Sequence, residues 1–303
     1  MKRILLTGAT GFLGSNLLNA LVKSQKYEIA ILKRSFSDTA RIDHIIGKVK
    51  SYDIDCIDMK QPFEDCNGFD VVVHTATTYG HNDTLITTMV ESNVLFPIEL
   101  MELASSYNKS AIFINTDTFF NNEESSKLYS YLSDYTLTKS QFLNWGKLCA
   151  RENLIKFINV KLFQMYGYND GKNKFTSFVL ESLSNSLNEL KLTPGEQKRD
   201  FIYIEDVVSA YLLLIDQSDK LGSNFQEFEL GNGGSVSIKV FVEEVARIFN
   251  SKTKLQFGAL PYRENEIMDS TANLEDLCEL GWSPKYSLKD GLSLVIKKIK
   301  EDN

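Results

Sequence analysis

Histidine, cysteine and long apolar runs are all scarce in this chain of 303 residues. Its three histidines, His44, His74 and His81, stand in no metal-ligand spacing with carboxylates, so no metal is expected. The four cysteines, Cys56, Cys66, Cys149 and Cys278, include no C-x-x-C pair. They read as small buried hydrophobes in a reducing, cytoplasmic compartment rather than as a disulfide framework. No apolar stretch approaches the roughly 20 residues that a membrane helix requires, which excludes a membrane partner of that kind. Lys2-Arg3 leads straight into Ile4-Leu5-Leu6 without a small-residue cleavage site behind it, so the start reads as a strand and not a signal peptide. Positive charge is also short, with 33 Lys and Arg against 40 Asp and Glu, a net charge of −7. That balance argues against nucleic acid as the main partner, because such binding draws on clustered cations. Hydrophobic content of 43% with 24% charged residues fits an ordinary globular protein, long enough for one large α/β domain or one plus a smaller lobe.

Glycine, in contrast, is placed with purpose. Thr7-Gly8-Ala9-Thr10-Gly11-Phe12-Leu13-Gly14 directly follows the apolar run Ile4-Leu5-Leu6. A buried strand that breaks into a glycine turn and then a helix aims free backbone N–H groups and the helix's positive end at an anion. Gly8 permits the tight turn, Gly11 lets the backbone approach a pyrophosphate, and Gly14 lets the helix Ser15–Lys23 pack closely on the strand. The spacing is G-x-x-G-x-x-G. Gly8, Thr10, Gly11, Phe12, Leu13 and Gly14 are therefore the candidate dinucleotide cradle.

Apolar runs and helical periods alternate through the first half. Strands are predicted at Arg3–Thr7, Glu28–Lys33, Lys48–Ile54, Phe69–Thr75, Ser110–Asn115 and Ile155–Leu162. Helices are predicted near Ser15–Lys23, Asp83–Tyr107 and Leu132–Glu152. Such alternation implies a doubly wound parallel sheet of the Rossmann type, with ligands beyond the carboxyl ends of its strands. After about Tyr166 the character changes. Gly167–Lys174 reads as a polar loop, Phe175–Leu192 as a helix, Thr193–Arg199 as a turn, Phe201–Ile204 as a strand and Glu205–Asp216 as a helix. A helix ends around Leu280-Gly281-Trp282-Ser283-Pro284 and another begins near Ser287. The expected division is 1–166 for the dinucleotide-binding domain and 167–303 for a smaller substrate lobe, with segments near 200–230 returning to the sheet.

Tyr135-Thr136-Leu137-Thr138-Lys139 places a phenol and an ammonium at i and i+4, on one face of a helix. A nearby cation favours the phenolate and lowers a pKa that is ordinarily about 10. Tyr129, Tyr131 and Tyr135 crowd this segment, and only Tyr135 has the lysine four residues on.

Together these motifs resemble the extended short-chain dehydrogenase/reductases of the nucleotide-sugar epimerase/dehydratase group, over nearly the whole chain. The resemblance rests on the glycine turn, Val71-Val72-Val73-His74-Thr75-Ala76, Tyr135-x-x-x-Lys139, Arg199-Asp200-Phe201-Ile202-Tyr203-Ile204-Glu205-Asp206 and Leu280-Gly281-Trp282-Ser283-Pro284. It implies Thr116, Tyr135 and Lys139 as catalytic residues. Thr116 would bond the reacting sugar oxygen, Tyr135 would pass the proton, and Lys139 would bind the nicotinamide ribose. Thr75 and Ala76 fall at the family's strand end beside the cofactor, and Asp58 at its adenine position. Asp117 and Thr118 border the substrate, and Arg199 and Arg263 fall where the family clasps the sugar-nucleotide pyrophosphate. Lys161-Leu162-Phe163-Gln164-Met165-Tyr166-Gly167 is similar to the family's RxxNVYG, with Lys for Arg and Gln for Asn.

At the end of the second strand, NAD-specific relatives carry an acid for the adenosine ribose. This chain has Lys33-Arg34-Ser35 and no carboxylate until Asp38, a set that suits a 2′-phosphate and therefore NADPH. Thr118 stands where the family's dehydratases carry a Glu, which leaves reduction as the expected reaction. Within the family the segments Ile114–Phe120, Tyr135–Lys139 and Asn144-Trp145-Gly146 look most like the CDP-abequose and CDP-paratose synthase type of 4-keto-sugar reductase. The resemblance implies a nucleotide-diphosphate sugar as substrate, CDP-linked in preference, and a homodimer. A C4 epimerase that retains NAD is the alternative reading, and a non-catalytic NADP sensor a more distant one.

Overall fold

A computed structural model describes residues 1–80, 84–121 and 132–302. His81, Tyr129 and Tyr131 lie outside the described residues, as does the start of the predicted helix Asp83–Tyr107. The chain divides into two compact units, and among the described residues the first comprises 1–121, 132–161 and 208–228. The second comprises 162–207 and 229–302.

The first unit begins with β1 (Lys2–Thr7), α1 (Phe12–Ser24), β2 (Tyr27–Lys33) and β3 (Lys50–Asp53). Short α2 (Gln61–Asp65), β4 (Val71–His74) and α3 (Ile86–Val90) follow. A π-helical turn, Glu91–Leu95, leads into α4 (Phe96–Tyr107), then β5 (Ile112–Thr118), α5 (Ser133–Arg151) and β6 (Lys156–Leu162). Ile4, Leu5 and Leu6 on β1 and Val71, Val72 and Val73 on β4 are fully buried, as expected of strands covered by helices on both faces. Four neighbouring pairs run parallel, β3 with β2, β2 with β1, β1 with β4 and β4 with β5. The expected strands are present with small shifts at their ends. The predicted helix from Ser15 starts earlier, at Phe12.

The second unit carries β7 (Gln164–Tyr166), α6 (Phe175–Ser184), β8 (Glu189–Lys191) and β9 (Lys198–Tyr203). The helix expected over Phe175–Leu192 is corrected here: it ends at Ser184, Ser186 takes a left-handed φ of 52°, and the remainder forms a strand. The chain continues as α7 (Ile204–Gln217) and β10 (Phe225–Leu230), which joins β6 at the edge of a seven-stranded sheet of order β10-β6-β5-β4-β1-β2-β3. It closes with β11 (Ser235–Ser237), α8 (Ile238–Phe249), β12 (Lys254–Gln256), α9 (Glu275–Glu279) and α10 (Leu288–Asp302). The second unit has a β11-β9-β7 sheet and a β12-β8 pair.

The two aspartates of the segment Arg199–Asp206 serve as backbone staples of this unit. Asp200, fully buried, accepts from the N–H groups of Asn232 at 2.6 Å, Gly233 at 3.0 Å and Ala272 at 3.1 Å. Asp206 accepts from Lys285 N at 2.9 Å and Tyr286 N at 3.0 Å. Burial pushes both carboxyls above the usual range against those hydrogen bonds.

Candidate active site

Gly8 leaves β1 with φ at +69°, in the left-handed region that glycine adopts without strain. A Cβ there would meet Ala76 N at 2.6 Å and the Thr75 hydroxyl at 2.7 Å. A Cβ at Gly14 would meet the Gly8 carbonyl oxygen at 2.1 Å, so helix and turn can touch only because Gly14 lacks a side chain. Gly11 N donates to Gly8 O at 2.9 Å, and Gly11 caps α1 without any side-chain acceptor for the first N–H groups. The result is a backbone cradle at a helix N-terminus whose first N–H groups have no side-chain acceptor, and the residues present fit a dinucleotide. Around it, Thr75 Oγ1 donates to Thr7 O at 2.8 Å, and the Thr7 hydroxyl lies 2.8 Å from Nδ1 of the buried His74.

The ends of β2 and β3 are cross-tied. Lys33 pairs with Asp53, while Ser35 donates to Asp55 through its N–H at 2.8 Å and its hydroxyl at 2.6 Å. Those Ser35 contacts hold the Asp55 carboxyl below its usual range. The Arg34 guanidinium lies 5.2 Å over the Phe36 ring. Arg41, which sequence reasoning missed, donates to the carbonyl of Thr10 in the glycine turn at 3.4 Å. Asp58 accepts from Lys60 N at 2.9 Å ahead of α2.

On α5 the buried residues are Tyr135, Thr138, Lys139, Phe142, Leu143, Gly146 and Ala150, a single stripe at helical spacing. Gly146 sets the depth of that stripe, since a Cβ on it would meet the Phe157 ring of β6 at 2.3 Å. Tyr135 is 5% exposed and Lys139 2%. Burial lowers the Lys139 ammonium to about 8, with the Asp117 charge opposing the shift. Burial also pushes the Tyr135 phenol well above its ordinary value. Tyr79 and Asp117 add to that rise, and a hydrogen bond from Thr118 works against it. The expected lowering by Lys139 is therefore not what governs this phenol: loss of water outweighs the ammonium one turn away. Lys139 in turn helps keep the buried His74 neutral, far below its usual range, although burial is the larger cause.

The three consecutive residues at the end of β5 find different partners, and alternation sets Asp117 apart from Thr116. Thr116 Oγ1 lies 2.6 Å from the hydroxyl of buried Tyr211 on α7. Asp117 turns inward: Oδ1 accepts from Thr118 N at 2.7 Å and Asn121 Nδ2 at 3.0 Å, and Oδ2 accepts from Asn159 Nδ2 at 3.0 Å. Thr118 acts on the Tyr135 phenol, working against its rise. Asn159 also donates to Glu227 at 2.9 Å and accepts from Asn115 at 2.8 Å, and Glu227 pairs with Lys161 at 2.7 Å.

Two further residues had no signal in the sequence pattern. Asn93, in the π-helical turn, accepts from Thr78 N at 2.8 Å and donates to Thr78 O at 2.8 Å and Thr138 Oγ1 at 3.0 Å, tying the loop after β4 to α5. Tyr79 lays its ring 4.8 Å from that of Tyr135, the planes 30° apart. In the second unit, Arg199 donates to Lys198 O at 2.7 Å and Ile267 O at 2.6 Å and pairs with Glu266, a buried structural tie. Arg263 is exposed.

The chain is 36% identical over 296 residues to a CDP-abequose synthase of Salmonella muenchen, covering 97% of each. It is 32% identical over 299 residues to a CDP-abequose synthase of Salmonella typhimurium, covering 98% of each. Its fold is similar to that of a UDP-glucose 4-epimerase from Thermotoga maritima, with a TM-score of 0.84 at 21% identity and 99% of each chain covered. Residues 4–231 match the NAD dependent epimerase/dehydratase family, and the chain belongs to that family.

Proposed function

We propose that the protein is an NADPH-dependent reductase of a nucleotide-activated 4-keto-deoxyhexose, CDP-linked in preference, acting in the cytoplasm in the synthesis of a surface-polysaccharide sugar such as an O-antigen unit. The observation that carries this reading is the buried stripe of α5, on which Tyr135 and Lys139 lie one turn apart. Two CDP-abequose synthases related over nearly their full length support the substrate class.

The bound dinucleotide supplies the hydride. Gly8, Thr10, Gly11, Phe12, Leu13 and Gly14 hold its pyrophosphate, with Thr75 and Ala76 at the strand end beside it. Arg34 receives the 2′-phosphate, flanked by Lys33 and Ser35, and Asp58 borders the adenine. Tyr135 gives its proton to the oxygen at C4 of the sugar. Reduction needs the phenol in its protonated form, and burial keeps it so at neutral pH. Lys139 binds the nicotinamide ribose. Thr116 and Thr118 offer hydroxyls to the sugar, and Asp117 orders the strand end beneath them. Arg199 and Arg263 are proposed to belong to the substrate lobe, in which Arg263 is the exposed cation for the diphosphate.

The protein is further proposed to form a homodimer. Large apolar side chains stand exposed where α5 packs against the π-helical turn: Leu95 is 56% exposed, Leu137 55% and Trp145 48%. No helix among the described residues is long and apolar enough to cross a membrane.

A C4 epimerase that retains NAD has one feature in its favour, the exposed Asp55 carboxylate at the end of β3, an acceptor suited to ribose hydroxyls. A screen of CDP-, dTDP-, UDP- and GDP-linked 4-keto sugars with NADPH and NADH decides between them. Oxidation of NADPH with a CDP-linked substrate is the expected result. Protein that purifies with bound NAD and oxidises no NADPH on any of these sugars would overturn the reductase reading.

A further inference from the structure

Each reduction leaves Tyr135 without its proton, and the residue is 5% exposed. The groups around its hydroxyl differ in what they can return. From β5, Asp117 accepts three N–H hydrogen bonds and Thr118 offers an alcohol that does not ionise at neutral pH. From α5, Lys139 is 2% exposed, next to neutral His74 on β4. From the loop after β4 comes Tyr79, 37% exposed, with its ring 4.8 Å from that of Tyr135. Among the described residues around this hydroxyl, Tyr79 joins it most openly to solvent.

Tyr79 is also held in place. Thr78, before it, is clamped through backbone N–H and C=O by Asn93, and its hydroxyl lies 2.9 Å from that of Ser92. Gly80, after it, has φ at +70°, and a Cβ on it would meet the Met89 sulfur at 2.4 Å. A ring held on both sides, lying against that of the proton donor and 37% exposed, links the reacting group to water.

We propose that Tyr79 is the proton relay of this site, returning a proton to Tyr135 after each turnover. The Tyr79 O–H bond breaks as the Tyr135 O–H bond forms, and the Tyr79 phenolate takes its own proton from water or a buffer acid. Burial lifts the Tyr135 phenol well above its ordinary value, which draws the returning proton onto its phenolate. This inference rests on the reductase reading, since it needs Tyr135 to act as donor.

The test is Tyr79→Phe, which keeps the ring and its stacking, alongside Tyr79→His, which restores a proton-carrying group. Wild type and variants are mixed with NADPH and the CDP-linked 4-keto sugar and followed from the first turnover. Tyr79→Phe should oxidise one NADPH per site at the wild-type rate and then turn over roughly tenfold to a hundredfold more slowly. The KM for the sugar should stay within about twofold, and imidazole buffer should restore the steady rate. Tyr79→His should retain most of the activity. Unchanged steady turnover in Tyr79→Phe, or a slow rate that imidazole does not raise, overturns the relay while the reductase reading stands. Failure of wild type itself to oxidise NADPH on any 4-keto sugar nucleotide overturns both.

Discussion

Asp117 and Asn159 face each other across adjacent strands of the sheet, with the Asn159 amide donating to Oδ2 of Asp117 at 3.0 Å. The acid beside Thr116 is thereby turned away from solvent and fixed behind the strand end that carries Thr116 and Thr118. Asn159 is fully buried and bridges on to Glu227 and Asn115, so its loss strands polar groups on several sides.

Asn159→Leu should therefore cost stability of about 1–3 kcal/mol, the penalty for leaving a buried acceptor without its donor. Asn159→Asp should cost more, because two carboxylates, Asp117 and Glu227, would face a third. Denaturant unfolding measures both, and a midpoint unchanged from wild type would contradict the network.

Gly14→Ala should abolish dinucleotide binding and lower stability, since the added Cβ would meet the Gly8 carbonyl oxygen at 2.1 Å. Gly47→Ala is the control, because a Cβ there meets nothing within 4 Å. NADPH fluorescence titration and thermal unfolding should separate the two variants clearly.

Arg34→Ser should weaken NADPH about tenfold and leave NADH within about twofold, which corresponds to loss of one charge-assisted contact. Lys33 and Ser35 are already engaged by Asp53 and Asp55, so their alanine variants should shift cofactor preference less. Equal weakening of both dinucleotides in Arg34→Ser would point away from a 2′-phosphate.

Lys139 supplies the pH dependence. Its pKa falls from 10.5 to about 8 on folding, so the charged form is the disfavoured one in the native state. Stability should be lowest below pH of about 8 and rise as pH climbs from there towards the unfolded value, by at most about 3 kcal/mol. Lys139→Met should remove that slope. The ammonium that holds the ribose disappears over the same range, so NADPH affinity should fall as pH rises through about 8. Calorimetry and fluorescence titration across that range read the two opposite trends.

How much of this was legible beforehand depends on the range of each interaction. Gly8, Gly11 and Gly14 act on one another within seven positions, and Tyr135 and Lys139 within one helical turn, so their placement follows from local geometry. The direction of Asp117 depends on Asn159, 42 positions away, and that of Thr116 on Tyr211, 95 positions away. Period-two alternation in β5 does signal that adjacent residues face opposite ways, but not which partner each one finds. Arg199 was expected to meet a diphosphate, and its tie to Glu266 depends on a loop whose course no periodicity reveals. The helix expected through Leu192 stopped at Ser184 because β8 pairs with a strand more than sixty positions later. The sign of the Tyr135 shift escaped for the same reason: spacing shows the neighbour, while burial is a property of the assembled fold.

The most direct test of the account is NADPH oxidation with a CDP-linked 4-keto-3,6-dideoxyhexose by wild type and Tyr135→Phe. Wild type should turn over, and the variant should be slower by a factor of about 10² or more with NADPH affinity within about twofold. Normal turnover by Tyr135→Phe would contradict the assignment of the proton donor on which the rest depends.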